Sequence, residues 1–460
     1  MTEKVESRLR NKAGLTAVKE GELGRTVLSL SLPLITANVF VSTLELVDAI
    51  YVGRLGSEML AAVAMAGVIM FLLLTLGGGL GVGTVALVSR AFGEKDYQRA
   101  DEVVIQSFLL AAIFAAGLGS LGLVVSPYLL KALGARGQVL TAGVGYLRIL
   151  FGGLVTMLFS FMGFSAFQGA GDTVTPMKIA LLSTGLNIVL DPIMIFGWLG
   201  LPKMGVAGAA WATVLSRAVG DGFLFHWLYR GRDAIQLRGK PVRVNPGLMA
   251  RIVTIGLPSS LQMLLRSFSA VVLVKIVSLF GPTVVAAYGV GGRIFGFFLL
   301  PGFGFGGAAA TLVGQNLGAG QPELAEKSVR VAMRYYFFCL LAGSCLVAVF
   351  SHQIAAVFNR ESQFIPCAAS YLRYLALGVL FLPAGVVGSR ALQGAGEVVP
   401  PMIMTGVALY LVQIPAAWFL SRYTGLKETG IWLAGIVGNI AHAILMWMVF
   451  SRGHWKMKKV

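Results

Sequence analysis

Four acidic side chains fall inside long apolar stretches of this 460-residue chain, which has only 20 acids in all. They are Glu45 and Asp48 in STLELVDAIYVG, Asp191 in GLNIVLDPIMIFG, and Asp221 in SRAVGDGF. A charge at the middle of a bilayer costs at least about 2.5 kcal/mol, so an acid retained there is expected to hold a proton or a cation. Glu45 and Asp48 are three residues apart and share a helix face. Two carboxylates in a medium of low dielectric repel one another, and taking up a positive particle relieves both. Asn187 and Asp191 stand one helical turn apart, both offering oxygen. Pro192 follows, and its missing N–H loosens the turn before it. Thr213, in GVAGAAWATVLSR, adds a hydroxyl on a face of small residues. Oxygen ligands gathered from several helices suit a hard cation such as Na⁺, and a protonatable carboxylate serves H⁺ equally well. The expected occupant of Asp48, Asn187, Asp191 and Thr213, with Glu45 beside them, is therefore H⁺ or Na⁺. No cofactor beyond that coupling ion is expected.

The remaining buried charges carry blander readings. Arg217 and Asp221 are four residues apart and read as a structural pair near one end of a helix. Arg266 falls near the middle of an apolar run and needs a partner, for which Glu45 or Asp48 is available; Arg266 and Arg293 are candidate cavity charges. His442 reads as a hydrogen-bonded packing histidine. The run Gly77–Gly83 (GGGLGVG) lacks a following GK[ST], so it reads as small residues that let helices approach closely. The three cysteines, Cys339, Cys345 and Cys367, have neither metal spacing nor a paired framework. No nucleophile triad, HExxH or nucleotide motif is present, so no enzyme is expected.

The elements that position these groups follow from composition and repetition. The chain is 57% hydrophobic and only 12% charged, whereas soluble domains carry about 25% charged residues. Apolar runs longer than about 18 residues recur, each enough to cross a bilayer as a helix. They fall at roughly 26–50, 59–88, 103–127, 141–168, 178–198 and 206–229, then 252–279, 284–313, 330–351, 367–392, 401–420 and 431–451. The second six repeat the first at an offset of 225 positions. Pro33 falls on Pro258, FQGAGDTVTPM on LQGAGEVVPPM, and the YLR of Tyr146 and Arg148 on the YLR of Tyr371 and Arg373. The predicted fold is an all-α integral membrane protein of twelve transmembrane helices in two six-helix lobes. An even number of spans per repeat gives both lobes one orientation, related by a pseudo-two-fold axis along the membrane normal. The predicted organisation is a tail over 1–25, a first lobe over 26–229, a basic linker over 230–251, a second lobe over 252–451 and a basic tail over 452–460.

About 24 Lys and Arg lie on the side of the termini against about 9 opposite, so both termini are expected in the cytoplasm of a multi-pass cell-membrane protein. The net charge of +17 is read as this topological bias, with no nucleic-acid partner. The repeat also supplies a control. Asp48, Asn187, Asp191 and Thr213 fall on Leu273, Val412, Ala416 and Gly438 in the second half. Prolines and turn glycines persist in both halves as scaffold does, while the oxygen set exists in one.

Taken together, Pro33 with Asp48, LGVGTVALVSRAFGEKD at Leu80–Asp96, GLNIVLDPI at Gly185–Ile193, GVAGAAWAT at Gly205–Thr213 and the two QGAG[DE] segments resemble the multidrug and toxic-compound extrusion (MATE) family. The likeness covers nearly the whole chain, and its GLNIVLDPI motif, in the fifth apolar run, is similar to the DinF-like and archaeal branch. The resemblance implies a first-lobe H⁺ or Na⁺ site at Asp48, Asn187, Asp191 and Thr213, and bending of the first helix at Pro33 linked to the carboxylate. It also implies two lobes that alternate access while exporting amphipathic, often cationic, organic compounds against the ion, from a bilayer and as a monomer. The alternative is a flippase for lipids or lipid-linked oligosaccharides of the same superfamily. Glu45 departs from the neutral polar residue more usual there, and Arg266 lies outside the pattern.

Overall fold

The computed structural model describes residues 22–230, 235–237 and 243–458. Most of the predicted 1–25 tail, part of the 230–251 linker and Lys459 lie outside the described residues. Every long element is a helix, and there is no strand among the described residues. In the first half these are α1 (Leu23–Gly53), α2 (Ser57–Gly93), α3 (Tyr97–Ala132), α4 (Gly137–Gly152), α5 (Leu154–Gly169), α6 (Val174–Phe196) and α7 (Val206–Arg230). The second half has α8 (Pro246–Val277), α9 (Pro282–Gly318), α10 (Pro322–Val349), the short α11 (Ser351–Phe358), α12 (Phe364–Gly378) and α13 (Leu382–Gly394). It ends with α14 (Val399–Gly406), a π-helical segment over Val407–Gln413, α15 (Ile414–Tyr423) and α16 (Glu428–Ser451).

Ten of these helices or continuous helix runs are long and apolar enough to span a membrane, and α4 with α5, bent by 48° at their junction, make an eleventh. The twelfth, α7, is 25 residues long and falls short in apolarity because it carries Arg217 and Asp221. Twelve membrane-spanning helices are the architecture predicted from the sequence. The predicted 141–168 run is one span broken at Gly153, the C-cap of α4 and N-cap of α5. Large apolar side chains stand outward on many helices, among them Val124 at 67%, Phe297 at 69% and Leu411 at 70% exposure. In water such surfaces would be association sites; against acyl chains they are the solvent-matched face.

The duplication is visible in the backbone. α2 and α9 have the same length, 37 residues, and both ends differ by the repeat offset. Gly171 and Gly396, equivalent in the two copies, both take a positive φ, 88° and 80°. A Cβ on Gly169 would meet the Val85 carbonyl oxygen at 3.2 Å, and one on its equivalent Gly394 would meet the equivalent Ala310 oxygen at 2.3 Å. Both sites need glycine because two helix backbones touch there. In the glycine run of α2, Gly81 lies against Ser165 of α5, the close helix approach expected of it.

The chain forms two compact units. One contains Thr36–Leu257; the other contains the described part of Ala17–Ile35 together with Pro258–Val460. The division falls inside α1, just past Pro33, and inside α8, at Pro258. The opening turns of α1 pack in the second unit, where Val27 and Leu30 are buried and Gly24 lies against Tyr335. The described linker residues belong to the first unit and are fastened to α3. Gln236 N–H donates to Asp101 Oδ1 at 3.1 Å, Asn245 N–H to Gln106 Oε1 at 3.0 Å, and Gln106 Nε2 to the Arg243 carbonyl at 2.7 Å. In the second half the π-helical segment occupies the positions equivalent to 182–188 of α6. Tyr410 anchors it by donating to the Leu265 carbonyl at 3.0 Å. The three cysteines are free.

Candidate functional site

The predicted oxygen set converges inside the first unit. α6 presents Asn187 and Asp191 on one face, and both are buried, at 1% and 0% exposure. Pro192 cannot donate a backbone hydrogen bond, so the Ile188 carbonyl one turn earlier loses its helical partner. α7 packs along α6 and brings Thr213 to the pair. The Asn187 amide is best satisfied with its nitrogen toward the acid: Nδ2 donates to Asp191 Oδ2 at 3.1 Å, and Oδ1 accepts from the Thr213 N–H at 3.1 Å. The Thr213 hydroxyl lies 3.4 Å from the same end of the amide and donates to the Ala209 carbonyl at 3.0 Å.

α1 adds the other carboxylates. Asp48 is half-buried and Glu45 is exposed. Asp48 lies close enough to act electrostatically on Asp191, and Glu45 on Asp48. One oxygen of each central acid is left over: Asp48 Oδ1 and Asp191 Oδ1 are both buried without a hydrogen-bond partner. Buried polar atoms are nearly always satisfied, and an orphaned carboxylate oxygen is costly. Two orphaned acceptors on neighbouring acids fit a group that brings positive charge, a proton or a hard cation. The Asn187 amide turns its nitrogen toward Asp191 while its oxygen accepts from the Thr213 N–H, so the amide oxygen expected as a ligand is already engaged. The acceptors left free are carboxylate oxygens, which suit H⁺ or a hard cation and do not suit a soft transition metal.

Two participants, Tyr146 and Ser160, were not singled out by the sequence, and Arg217 reaches further than its expected pairing with Asp221. Tyr146 of α4, buried at 7% exposure, lies within electrostatic reach of Asp48, Asp191 and Arg217. The repeat pairs it with Tyr371, yet Tyr371 sits in an aromatic stack with Tyr288 and Trp432, so the two equivalents have different neighbours. Arg217 stands within reach of Asp221, Tyr146 and Glu45 and extends the charged line along α7. The expected Arg217–Asp221 structural pair is not an ion pair at contact distance among the described residues. Asp221 instead accepts from Ser160 Oγ at 2.5 Å. Ser160 lies on α5, and no spacing within α7 could have revealed it.

The second-lobe candidates separate. Arg293 is exposed on α9, and Arg266 is half-buried on α8. Among the described residues of its own unit, Arg266 has no carboxylate partner; its electrostatic neighbours are Arg390, Tyr336 and His442. His442 is buried, and its Nε2 lies 3.1 Å from Thr405 Oγ1, the packing role expected of it.

Comparison with known proteins follows the duplication. The MatE family model matches twice, over residues 33–193 and again over 258–419, starting at the equivalent prolines Pro33 and Pro258. The chain belongs to the MatE family. This MATE protein is 29% identical over 433 residues to the probable multidrug resistance protein YoeA of Bacillus subtilis, covering 93% of each chain. It is 27% identical to the probable multidrug resistance protein NorM of Thermotoga maritima, over 95% of this chain and 94% of that one. Among solved structures, an outward-facing multidrug resistance MATE family transporter superposes with a TM-score of 0.88 at 29% identity, covering 95% of this chain and 97% of that one. The family is one of transporters, and the ten apolar helices with the bent eleventh span make this MATE protein a multi-pass membrane protein.

Proposed function

We propose that this MATE protein is a secondary active exporter that expels amphipathic organic compounds in exchange for inward H⁺ or Na⁺. The multidrug resistance and export names of its relatives support the substrate class. The observation that carries the coupling is the pair of buried, unpartnered oxygens on Asp48 and Asp191, held in electrostatic contact by α1 and α6. Uptake of a positive particle there removes the mutual repulsion and fills both orphaned acceptors, so the occupied and empty states of the first unit differ in free energy. Asn187 and Thr213 position Asp191 in both states. Glu45 and Arg217 connect the site electrostatically to the rest of α1 and α7. Pro33 lies where α1 passes from one compact unit to the other, which supports its role as the point at which α1 bends. The Lys and Arg distribution supports both termini in the cytoplasm of a cell-membrane protein.

The test is efflux from proteoliposomes under an imposed H⁺ or Na⁺ gradient. Asp48→Asn is expected to abolish gradient-driven export of a cationic dye while the purified protein unfolds as cooperatively as wild type. Undiminished efflux would remove Asp48 from the coupling site.

A further inference from the structure

The second unit contains a polar cluster that the ion-coupling site does not use. Gln262 of α8 is its centre. Its Nε2 donates toward Thr405 Oγ1 at 2.7 Å and Ser389 Oγ at 3.0 Å, and its Oε1 accepts from Gln393 Nε2 at 2.8 Å. Gln262, Ser389, Gln393, Thr405 and His442 are all buried. This neutral network fixes the relative placement of α8 and α13.

Two guanidinium groups stand at its edge. Arg266 follows Gln262 by one turn on α8, and Arg390 precedes Gln393 by three residues on α13, so the Gln262–Gln393 bond brings both arginines to one side. Arg390 Nη1 donates to Gln393 Oε1 at 3.4 Å, and its guanidinium lies 5.9 Å from the centre of the Phe303 ring. A Cβ on Gly306 would meet Arg390 Cγ at 2.8 Å, so glycine there makes room for the arginine stem. Both arginines are half-buried, leaving their heads partly accessible. They lie within electrostatic reach of one another. Among the described residues neither has an ion pair, and Arg266 has no hydrogen bond.

An arginine that only holds helices together is normally given a carboxylate, because an uncompensated buried charge is costly. Here two like charges are set together beside a network of neutral donors and acceptors that gives them one hydrogen bond, from Arg390 to Gln393, and no carboxylate among the described residues. Paired guanidiniums offer parallel N–H donors that match a carboxylate or phosphate in bidentate fashion. We propose that Arg266 and Arg390 form a clamp for the anionic group, carboxylate or phosphate, of an amphipathic molecule handled by the second lobe. That group could belong to an exported solute or to a phospholipid headgroup; the chemistry recognised is the same. The proposal rests on the exporter reading for its purpose, but it is tested by binding at equilibrium.

Purified full-length protein in a neutral detergent would be titrated with carboxyfluorescein, dioctanoyl phosphatidylglycerol and dioctanoyl phosphatidylcholine, with thermal unfolding and dye anisotropy as readouts. Wild type is expected to bind at least one anionic probe and to bind phosphatidylcholine more weakly. Binding of carboxyfluorescein assigns the anion to a solute, and binding of phosphatidylglycerol alone assigns it to a lipid. Arg266→Gln and Arg390→Gln are each expected to weaken the anionic probe by about tenfold or more, the loss of a charge-assisted hydrogen bond. Should a glutamine variant fail to fold, Arg266→Lys and Arg390→Lys keep the charge and lose the fork, and are expected to show a smaller but measurable loss. Anionic affinity unchanged in these variants, or no preference for anionic over neutral probes in wild type, overturns the clamp. Failure of gradient-driven export in wild type would overturn the exporter reading and leave this binding result standing.

Discussion

Asp191 carries the sharpest expectation at the scale of single residues. One of its oxygens is held by Asn187 and the other has no partner, so Asp191→Asn removes the charge while preserving shape. If the occupant is Na⁺, wild type gains stability with sodium, by about 2.7 kcal/mol at a hundred times its dissociation constant, and Asp191→Asn loses that gain. If the occupant is H⁺, unfolding temperature depends on pH in wild type and not on sodium, and the variant flattens the pH dependence. Unfolding of both proteins over a grid of pH and sodium concentration decides which. Much of this site was legible in the sequence, because a charge in an apolar run is expensive and the repeat shows which charges the scaffold can do without. What escaped were Tyr146 and Ser160. Tyr146 is duplicated, so comparison of the halves sorts it with the scaffold, and its closeness to Asp48 and Asp191 depends on which helices meet. Ser160 answers Asp221 across 61 positions of chain, a distance over which no local period informs. The same blindness produced the expected Arg217–Asp221 pair: spacing on one helix was visible, and the competing hydroxyl on another was not.

Among the elements, helices were readable because hydrocarbon tolerates no other open backbone, and their limits came within eight residues of those predicted, the largest gap at the start of α10. Breaks were harder. The bend between α4 and α5 falls at Gly152–Gly153, and glycine pairs recur in this chain without bending it. The π-helical segment over Val407–Gln413 is followed by Pro415, whose missing N–H leaves the Leu411 carbonyl without its α-helical partner; it replaces the turn that in α6 carries Asn187. This difference between equivalent helices predicts different tolerance to length change. Removing one residue from an α-helix rotates everything beyond it by about 100°, whereas a π-turn can absorb the loss by tightening. Deletion of Leu411, which is exposed, is expected to leave a folded, exporting protein. Deletion of its equivalent Leu186 is expected to turn Asn187 and Asp191 together away from Asp48 and Thr213 and end gradient-driven efflux. Comparing dye export and unfolding of the two deletions checks the difference.

For the whole molecule, the division into two units inside α1 and α8 has a consequence for heredity and assembly. A gene copied end to end would be supposed to yield two modules, each sufficient for itself. Here each repeat has lent its leading segment away: the opening of α1, with Val27 and Leu30, is buried by partners from the later copy, and the start of α8 by partners from the earlier one. A progenitor made of one repeat would have needed a twin with which to trade those segments, as strand- or helix-exchanged dimers do. The modern chain is that pair written in one reading frame. Cutting the polypeptide between Leu237 and Arg238 is therefore expected to give fragments that are degraded when made singly and that accumulate and restore dye export when made together. A stable, monomeric 1–237 fragment by itself would show that the loan is not needed.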